Sequence, residues 1–224
     1  MFQLSLLRNL KRFCLATYTA VLLTSISLLI SLPISSQAHT ENSFKALIFS
    51  KDQIPKAMTY KGKVSTGLRW SDKQGENYVI FSESRPVHGD WFLYVNYYRV
   101  SKGVTKRIRL LRDKERCGEL DNVSELVEKS IALTDLDHDG DGEVTFVYGM
   151  GCGEGVGNTA KLMLLEDKNK YAIRGSMSLD DRRMNFKTKG EMKLGTQLKK
   201  LGEPFLNYAI EVWKKYTHLV YEKE

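Results

Sequence analysis

The chain is short of histidine, cysteine and proline. Its 224 residues include four histidines, three cysteines and four prolines. The histidines stand singly at 39, 88, 138 and 218, so no partnered histidine is offered to activate a nucleophile. No Gly-x-Ser-x-Gly elbow occurs. The run from Gly149 to Gly157 alternates glycine but lacks the Gly-Lys-Ser/Thr ending of a P-loop. It also opens no helix-forming stretch, which argues against a dinucleotide fingerprint. It reads as a flexible connection, or as a backbone-rich binding edge in which Glu154 is the one acid. No proline- or serine-rich linker and no repeat of 20–50 residues divides the chain, so one domain is expected.

Acidic residues are missing from the first 38 positions. Arg8, Lys11 and Arg12 precede an apolar run from Ala20 to Leu32, and Ser36-Gln37-Ala38 follows with the small residues of a cleavage site. The apolar run falls short of the roughly 20 residues of a spanning helix. A secretory signal over 1–38, cut after Ala38, is therefore predicted, with no stable membrane span afterwards. Cys14 lies on the wrong side of the run to be a lipoprotein cysteine. The signal carries three of the seven net positive charges, leaving +4 on the 186 residues that remain. Their strongest basic run is Lys106-Arg107-Ile108-Arg109 with Arg112. Solvated faces explain such a run, and an exported chain does not meet nucleic acid. Anionic glycans or lipid head groups would be the partners of a basic face.

Two cysteines remain after cleavage, Cys117 and Cys152. An even count in an oxidising compartment points to one bridge, which would enclose the acidic stretch described next and tether both its flanks. Two free thiols are the competing reading.

What the chain does have is Asp135-Leu136-Asp137-His138-Asp139-Gly140-Asp141-Gly142-Glu143, five carboxylates at alternate positions. A hard cation takes six to eight oxygens from a short curved segment, and glycine permits the turn. With Asp135 as position 1, side-chain oxygens come from Asp135, Asp137 and Asp139. Asp141 supplies its backbone carbonyl, and Glu143 binds directly or through water. The bidentate glutamate of an EF-hand would fall at position 12, which is Phe146. Val144-Thr145-Phe146-Val147-Tyr148 then predicts a strand, not an exiting helix. A weak, structural calcium site is expected, and a solvated acidic turn is the alternative.

Strands are predicted at Tyr78–Ser82, Trp91–Val100, Val104–Leu111 and Val144–Tyr148, with a further hairpin from Ala160 to Arg174. Asp121–Lys129 reads as a short helix. Residues 39–55 read as a mobile leader. Phe205, Leu206, Ala209, Val212, Trp213, Tyr216, Leu219 and Val220 recur at helical spacing after Pro204. The fold class is α+β: an antiparallel sheet over 56–224 with one long C-terminal amphipathic helix packed on it. Asp180-Asp181-Arg182-Arg183 reads as a self-compensated turn.

The acidic loop is similar to the Asp-x-Asp-x-Asp-Gly-x-x-Asp/Glu calcium loops found between strands in integrin-like repeats. In wider order, the acidic stretch with Glu143-Val-Thr-Phe-x-Tyr148 and Cys152 is followed by Lys161-Leu-Met-Leu-Leu165 and Lys170-Tyr-Ala-Ile-Arg-Gly175. Phe205-Leu-x-x-Ala209 with Trp213 and Tyr216 completes it. This order resembles a family of bacterial exported proteins described as surface polysaccharide biosynthesis proteins, over roughly residues 130–216. The resemblance implies a link to cell-surface glycans and brings no catalytic residues. Asp141-Gly142 departs from it, since apolar residues are usual there. The expectation is an exported, non-enzymatic, Ca²⁺-stabilised domain, periplasmic or at the cell surface, with a glycan or an envelope protein as partner. The alternative is a periplasmic glycan-active hydrolase or transferase using Glu154 or Asp181. An adhesion module would instead expose the aromatics of Tyr94–Tyr98.

Overall fold

The computed structural model describes residues 44–86, 89–153 and 159–222. The expected signal with its cleavage point, and also His39, His88 and Glu154, lie outside the described residues. Most of what is described is antiparallel β-structure. Sheet 1 is a meander of β1 (Leu47–Phe49), β2 (Lys63–Asp72), β3 (Gly75–Ser84), β4 (Asp90–Ser101) and β5 (Val104–Arg116), paired in that order. Sheet 2 contains β6 (Glu125–Thr134), β7 (Glu143–Met150), β8 (Thr159–Glu166) and β9 (Asn169–Ser176). A small third sheet joins β10 (Ser178–Asp181), β11 (Phe186–Thr188) and, after β12 (Met192–Leu194) has paired with β9 of sheet 2, the last strand β13 (His218–Tyr221). The helix α1 spans Glu203–Tyr216.

Sheets 1 and 2 close face to face. Leu68, Trp70, Phe81 and Val95 from one side meet Val144, Phe146, Tyr148 and Leu165 from the other in a single core. Alternation puts every second residue of a strand on that face. β4 is the exception that explains its composition: from Trp91 to Arg99 no residue exceeds 9% exposure. On its second face Tyr98 packs with Tyr78, Ile80, Phe49 and Met58, and the Arg112 guanidinium lies over Phe92 and Tyr94. The stretch expected to be a mobile leader is therefore β1 and a helical turn at Lys51–Gln53 where it is described. The apolar Phe49, buried to 6% exposure, is what fixes it to sheet 1. The aromatics of β4 are inside the domain, which removes the exposed aromatic strand an adhesion module would use.

α1 lies on the outer face of sheet 2. Phe205, Ala209 and Trp213 are its buried residues, and the last two pack with Val147, Ala160, Leu162 and Ile173. It ends earlier than its apolar spacing suggests. The Thr217 hydroxyl and N–H both donate to the Trp213 carbonyl, at 2.7 and 3.0 Å. Leu219 and Val220, expected on the helix, instead form β13 beside β10. Two more corrections follow from pairing. The domain contains two large sheets where one was expected. The short helix expected at Asp121–Lys129 is the start of β6, because Leu126 pairs with Tyr148 and Val127 with Val147. Leu126 enters the core between the sheets while Val127 packs on the α1 side. Consecutive residues facing opposite ways belong to a strand, and the partner strand overrides local helix preference. No helix among the described residues is long and apolar enough to cross a membrane.

Candidate metal centre

The acidic stretch is the loop between β6 and β7, so it leads into a strand as its β-branched sequel predicts. Its curvature comes from two residues in the left-handed region, His138 at φ 58° and Gly140 at φ 81°. Within the loop, the Asp139 N–H donates to Asp137 Oδ1 at 3.3 Å and the Asp141 N–H to Asp139 Oδ1 at 2.8 Å. These turns wind the chain back on itself and bring the acids together. One carboxylate oxygen from each of Asp135, Asp137, Asp139 and Glu143 lies within 4.8 Å of the others, and this group can hold a metal ion.

Glu143 is the least ordinary member. It is 1% exposed, at the mouth of β7, with Tyr208 of α1 close by. Its Oε2 accepts from the Leu136 N–H at 2.8 Å and from the Thr134 hydroxyl at 3.2 Å. Burial pushes its pKa up to about 8, and the charges of Asp137 and Asp135 push the same way against those two hydrogen bonds. Asp137 and Asp139 are exposed. The set thus grades from a solvent-facing rim to a buried carboxylate that faces other carboxylates. A cation supplies the charge that such an arrangement lacks.

Asp141, the fifth acid of the pattern, sends its side chain elsewhere. Its Oδ2 accepts from Gln74 Nε2 at 2.5 Å and lies 3.4 Å from Lys73 Nζ. Its Oδ1 is buried without a hydrogen-bond partner, and the position-7 frame asks only for its backbone carbonyl. Lys73 also reaches Asp139, 2.5 Å from the carbonyl and 3.2 Å from Oδ2. The Asp139 carboxyl is held below the usual carboxylate range, first by the Asp141 N–H and with help from Lys73. Both cationic and amide contacts come from the turn joining β2 to β3, which docks here through the Lys73 N–H to the Gly140 carbonyl. Gln74 continues the contact to Arg99. Arg99, 9% exposed, donates onward to Asn77 and the Tyr97 hydroxyl at 2.9 Å each and to Asp167 at 3.0 Å. The loop is therefore anchored to sheet 1 by a polar chain that runs from exposed Lys73 to buried Arg99. Nothing local in the sequence announces Lys73, Gln74 or Arg99 as its neighbours. The same holds for Glu166, whose carboxyl is raised by burial and by the nearby charges of Asp137, Asp139 and Asp167.

Cys117 and Cys152 form the expected disulfide, with Cα atoms 5.3 Å apart and 35 positions between them in sequence. It suits an oxidising environment. It encloses the acidic loop in sequence but does not tether its flanks in space. Cys152 follows the far end of β7, so eight residues of strand, about 25 Å at 3.3 Å per residue, separate the two.

The other candidates resolve differently. Asp180 and Asp181 lie in β10 and not in a turn, with Asp181 2% exposed. Arg183 grips both oxygens of Asp181 at 3.1 and 2.7 Å, and the Met184 N–H adds a third bond. Its pKa is lowered, first by Arg183. A carboxylate so committed is a poor general acid. Neighbours on a strand also point to opposite faces, so Asp180 and Asp181 do not converge. The basic run 106–109 with Arg112 lies on the edge strand β5, where charge discourages strand addition. No family model, no curated protein and no solved structure matches this chain.

Proposed function

We propose that the protein is an exported, non-enzymatic domain stabilised by calcium, which supports cell-surface polysaccharide production or binds a partner at the cell surface. The observation that carries the metal part is the convergence of Asp135, Asp137, Asp139 and Glu143 on one point, with Glu143 buried among them. Oxygens that share a calcium ion at 2.3–2.6 Å stand up to about 5 Å apart, whereas magnesium at 2.0–2.1 Å draws them within about 4.2 Å. Four such oxygens within 4.8 Å of one another are near enough to share one ion, and the all-oxygen set suits a hard cation. An oxidised disulfide and a weak calcium loop belong to the same surroundings, because calcium outside the cell is plentiful enough to fill sites of low affinity. The surface-glycan part rests on the resemblance carried by residues 130–216. The glycan-active alternative is less favoured because Asp181 is occupied by Arg183.

Thermal unfolding tests the metal. With a dissociation constant of about 10⁻⁴–10⁻³ M, 10 mM calcium stabilises by about 1.4–2.7 kcal/mol. That raises Tm by roughly 3–10 °C for a domain of this size, and chelation reverses it. The Asp137→Asn/Glu143→Gln variant should show no such rise. Equal melting of the native protein in calcium and in chelator would remove the metal from the proposal.

Lys73 gives a finer test. Its ammonium competes with a cation for Asp139. Lys73→Met should tighten calcium binding by about 3- to 10-fold at low salt, with the gain shrinking as salt is added. Isothermal titration at two ionic strengths reads both effects. Weaker binding by the variant would show that Lys73 holds the loop together instead of rivalling the ion.

The glycan part is tested separately by deleting the gene and comparing surface polysaccharide. Unchanged polysaccharide leaves the calcium site standing and directs the search to a surface partner.

A further inference from the structure

A sheet in a folded domain turns its apolar face to a core. The small third sheet does not. Phe186, Asp181 and Tyr221 stand in register across its strands on one face, and Thr188, Leu179 and Leu219 form the next row of that face. Ser178 and His218 of the opposite face line a cleft with Trp213 and Thr217 at the end of α1. The apolar face is therefore turned away from the body of the domain. None of Leu179, Met184, Phe186, Leu219 and Tyr221 packs in the three cores described above. Met184, in the turn between β10 and β11, is 70% exposed, Phe186 40% and Tyr221 45%.

Charge is layered around these side chains. The acids lie low, because Asp180 and Asp181 are buried in β10. The cations reach outward: Arg182, Arg183, Lys187 and Lys189 are all exposed. Arg183 holds Asp181 and lies 4.5 Å over the Tyr221 ring, so its guanidinium stays among the apolar side chains. Lys187 reaches Asp180 at 2.9 Å, and Arg182 reaches Asp180 at 3.7 Å and Glu222 at 2.8 Å. Pairs made by such exposed cations are weak, so Lys187 and Arg182 can turn to an outside anion at little cost. Lys189 makes no ion pair among the described residues. The exposed acids of these segments, Glu222 and Glu191, are paired with Arg182 and Lys193.

We propose that this hairpin tip and the face beside it dock on an anionic lipid bilayer. Met184 and Phe186 enter the interface, Tyr221 lies at its edge, and Arg182, Lys187 and Lys189 meet the lipid phosphates. Apolar side chains ringed by exposed cations are what interfacial binding uses, since burial and attraction to acidic head groups act together. Other occupants fit less well. A second copy would bring its own Arg182, Lys187 and Lys189 against these, and like charges oppose that contact. A soluble polyanion would leave Met184 and Phe186 in water. The inference goes beyond the calcium reading and does not rest on it.

The test is sedimentation of the protein, purified after export, with vesicles in chelator at low salt. One set is phosphatidylcholine alone, and the other contains an equal part of phosphatidylglycerol. Saturable binding to the acidic vesicles at about 1 mM lipid or below is expected, with the neutral vesicles at least about 10-fold weaker. Met184→Ser/Phe186→Ser should weaken binding about 10-fold or more and keep the native Tm, since both side chains are exposed. Arg182→Gln/Lys189→Gln should weaken it by a similar factor at low salt, and by less as salt is added. Each variant differs from the native chain only in this patch, so any other membrane-seeking segment cancels. Absence of binding to the acidic vesicles overturns the proposal. So does binding that the serine variant keeps, and so does equal binding to neutral vesicles. Dimers that the serine variant dissolves would assign the face to a second copy and overturn it as well.

Discussion

Phe146→Glu, the change that would complete a twelve-residue calcium loop in the sequence, is expected to unfold the domain. The native ring is fully buried, 5.1 Å from Phe81 across the two sheets at 79° and 6.1 Å from Tyr148 on its own strand. Truncating a buried Phe costs about 3–5 kcal/mol. An ionised carboxylate left without a partner in the same place adds several more. The sum is comparable with the whole stability of a domain, about 5–15 kcal/mol. Nor would the new acid reach the ion. Glu143 and Phe146 are three residues apart on one strand, and alternation sends them to opposite faces of sheet 2: Glu143 toward α1, Phe146 toward sheet 1. An EF-hand can use its twelfth residue because a helix follows its loop. Here a strand follows, and the position belongs to the core. Urea unfolding and far-ultraviolet circular dichroism measure the effect, with Phe146→Leu as the control at about 1–2 kcal/mol. A folded Phe146→Glu protein that binds calcium more tightly than the native chain would contradict the register of β7.

The same residues show what could be read from the sequence. The acidic loop was legible because its ligands lie within nine consecutive positions, and Val144-Thr145-Phe146-Val147 declares the strand after it. The hairpins of β4 with β5 and β8 with β9 were legible because their turns are two residues long. What escaped was decided at a distance. Val123, Leu126 and Val127 are spaced as on a helix, and only pairing with β7 makes them otherwise. Leu219 and Val220 continue the period of α1, and only β10, some 40 positions earlier, draws them into a strand. Sequence marks strands but not which sheet they join, so two sheets read as one. Lys73, Gln74, Arg99 and Glu166 surround the loop only because the sheets close. The charge compensation in Asp180-Asp181-Arg182-Arg183 was legible, and Arg183 does hold Asp181, but its place on a strand was not.

Removing the disulfide should cost a large part of the stability and leave the calcium site almost untouched. Cys117 lies just after β5 and Cys152 just after β7, so the bridge joins one end of sheet 1 to one end of sheet 2. In the chain-entropy model a closed loop of this length is worth about 4 kcal/mol. Cys117→Ser/Cys152→Ser should therefore lower Tm by roughly 8–16 °C. The variant is still expected to fold, because backbone bonds hold the same region: Cys117 N–H to the Gly89 carbonyl at 2.8 Å, Val123 N–H to the Gly151 carbonyl at 3.1 Å and Gly153 N–H to the Asp121 carbonyl at 2.8 Å. The ion would be gripped at the opposite end of β7, about 25 Å away, by residues the bridge does not touch. Effects of sites that far apart add independently. Calcium affinity should then change by less than about 2-fold, since additivity at this range holds within a few tenths of a kcal/mol. Melting curves with and without calcium on the native and double-serine proteins give all four corners of the cycle. A calcium response that vanished with the bridge would mean that the acidic loop depends on the alignment of the two sheets, and the ion would then report on the closure of the sandwich instead of on its own loop.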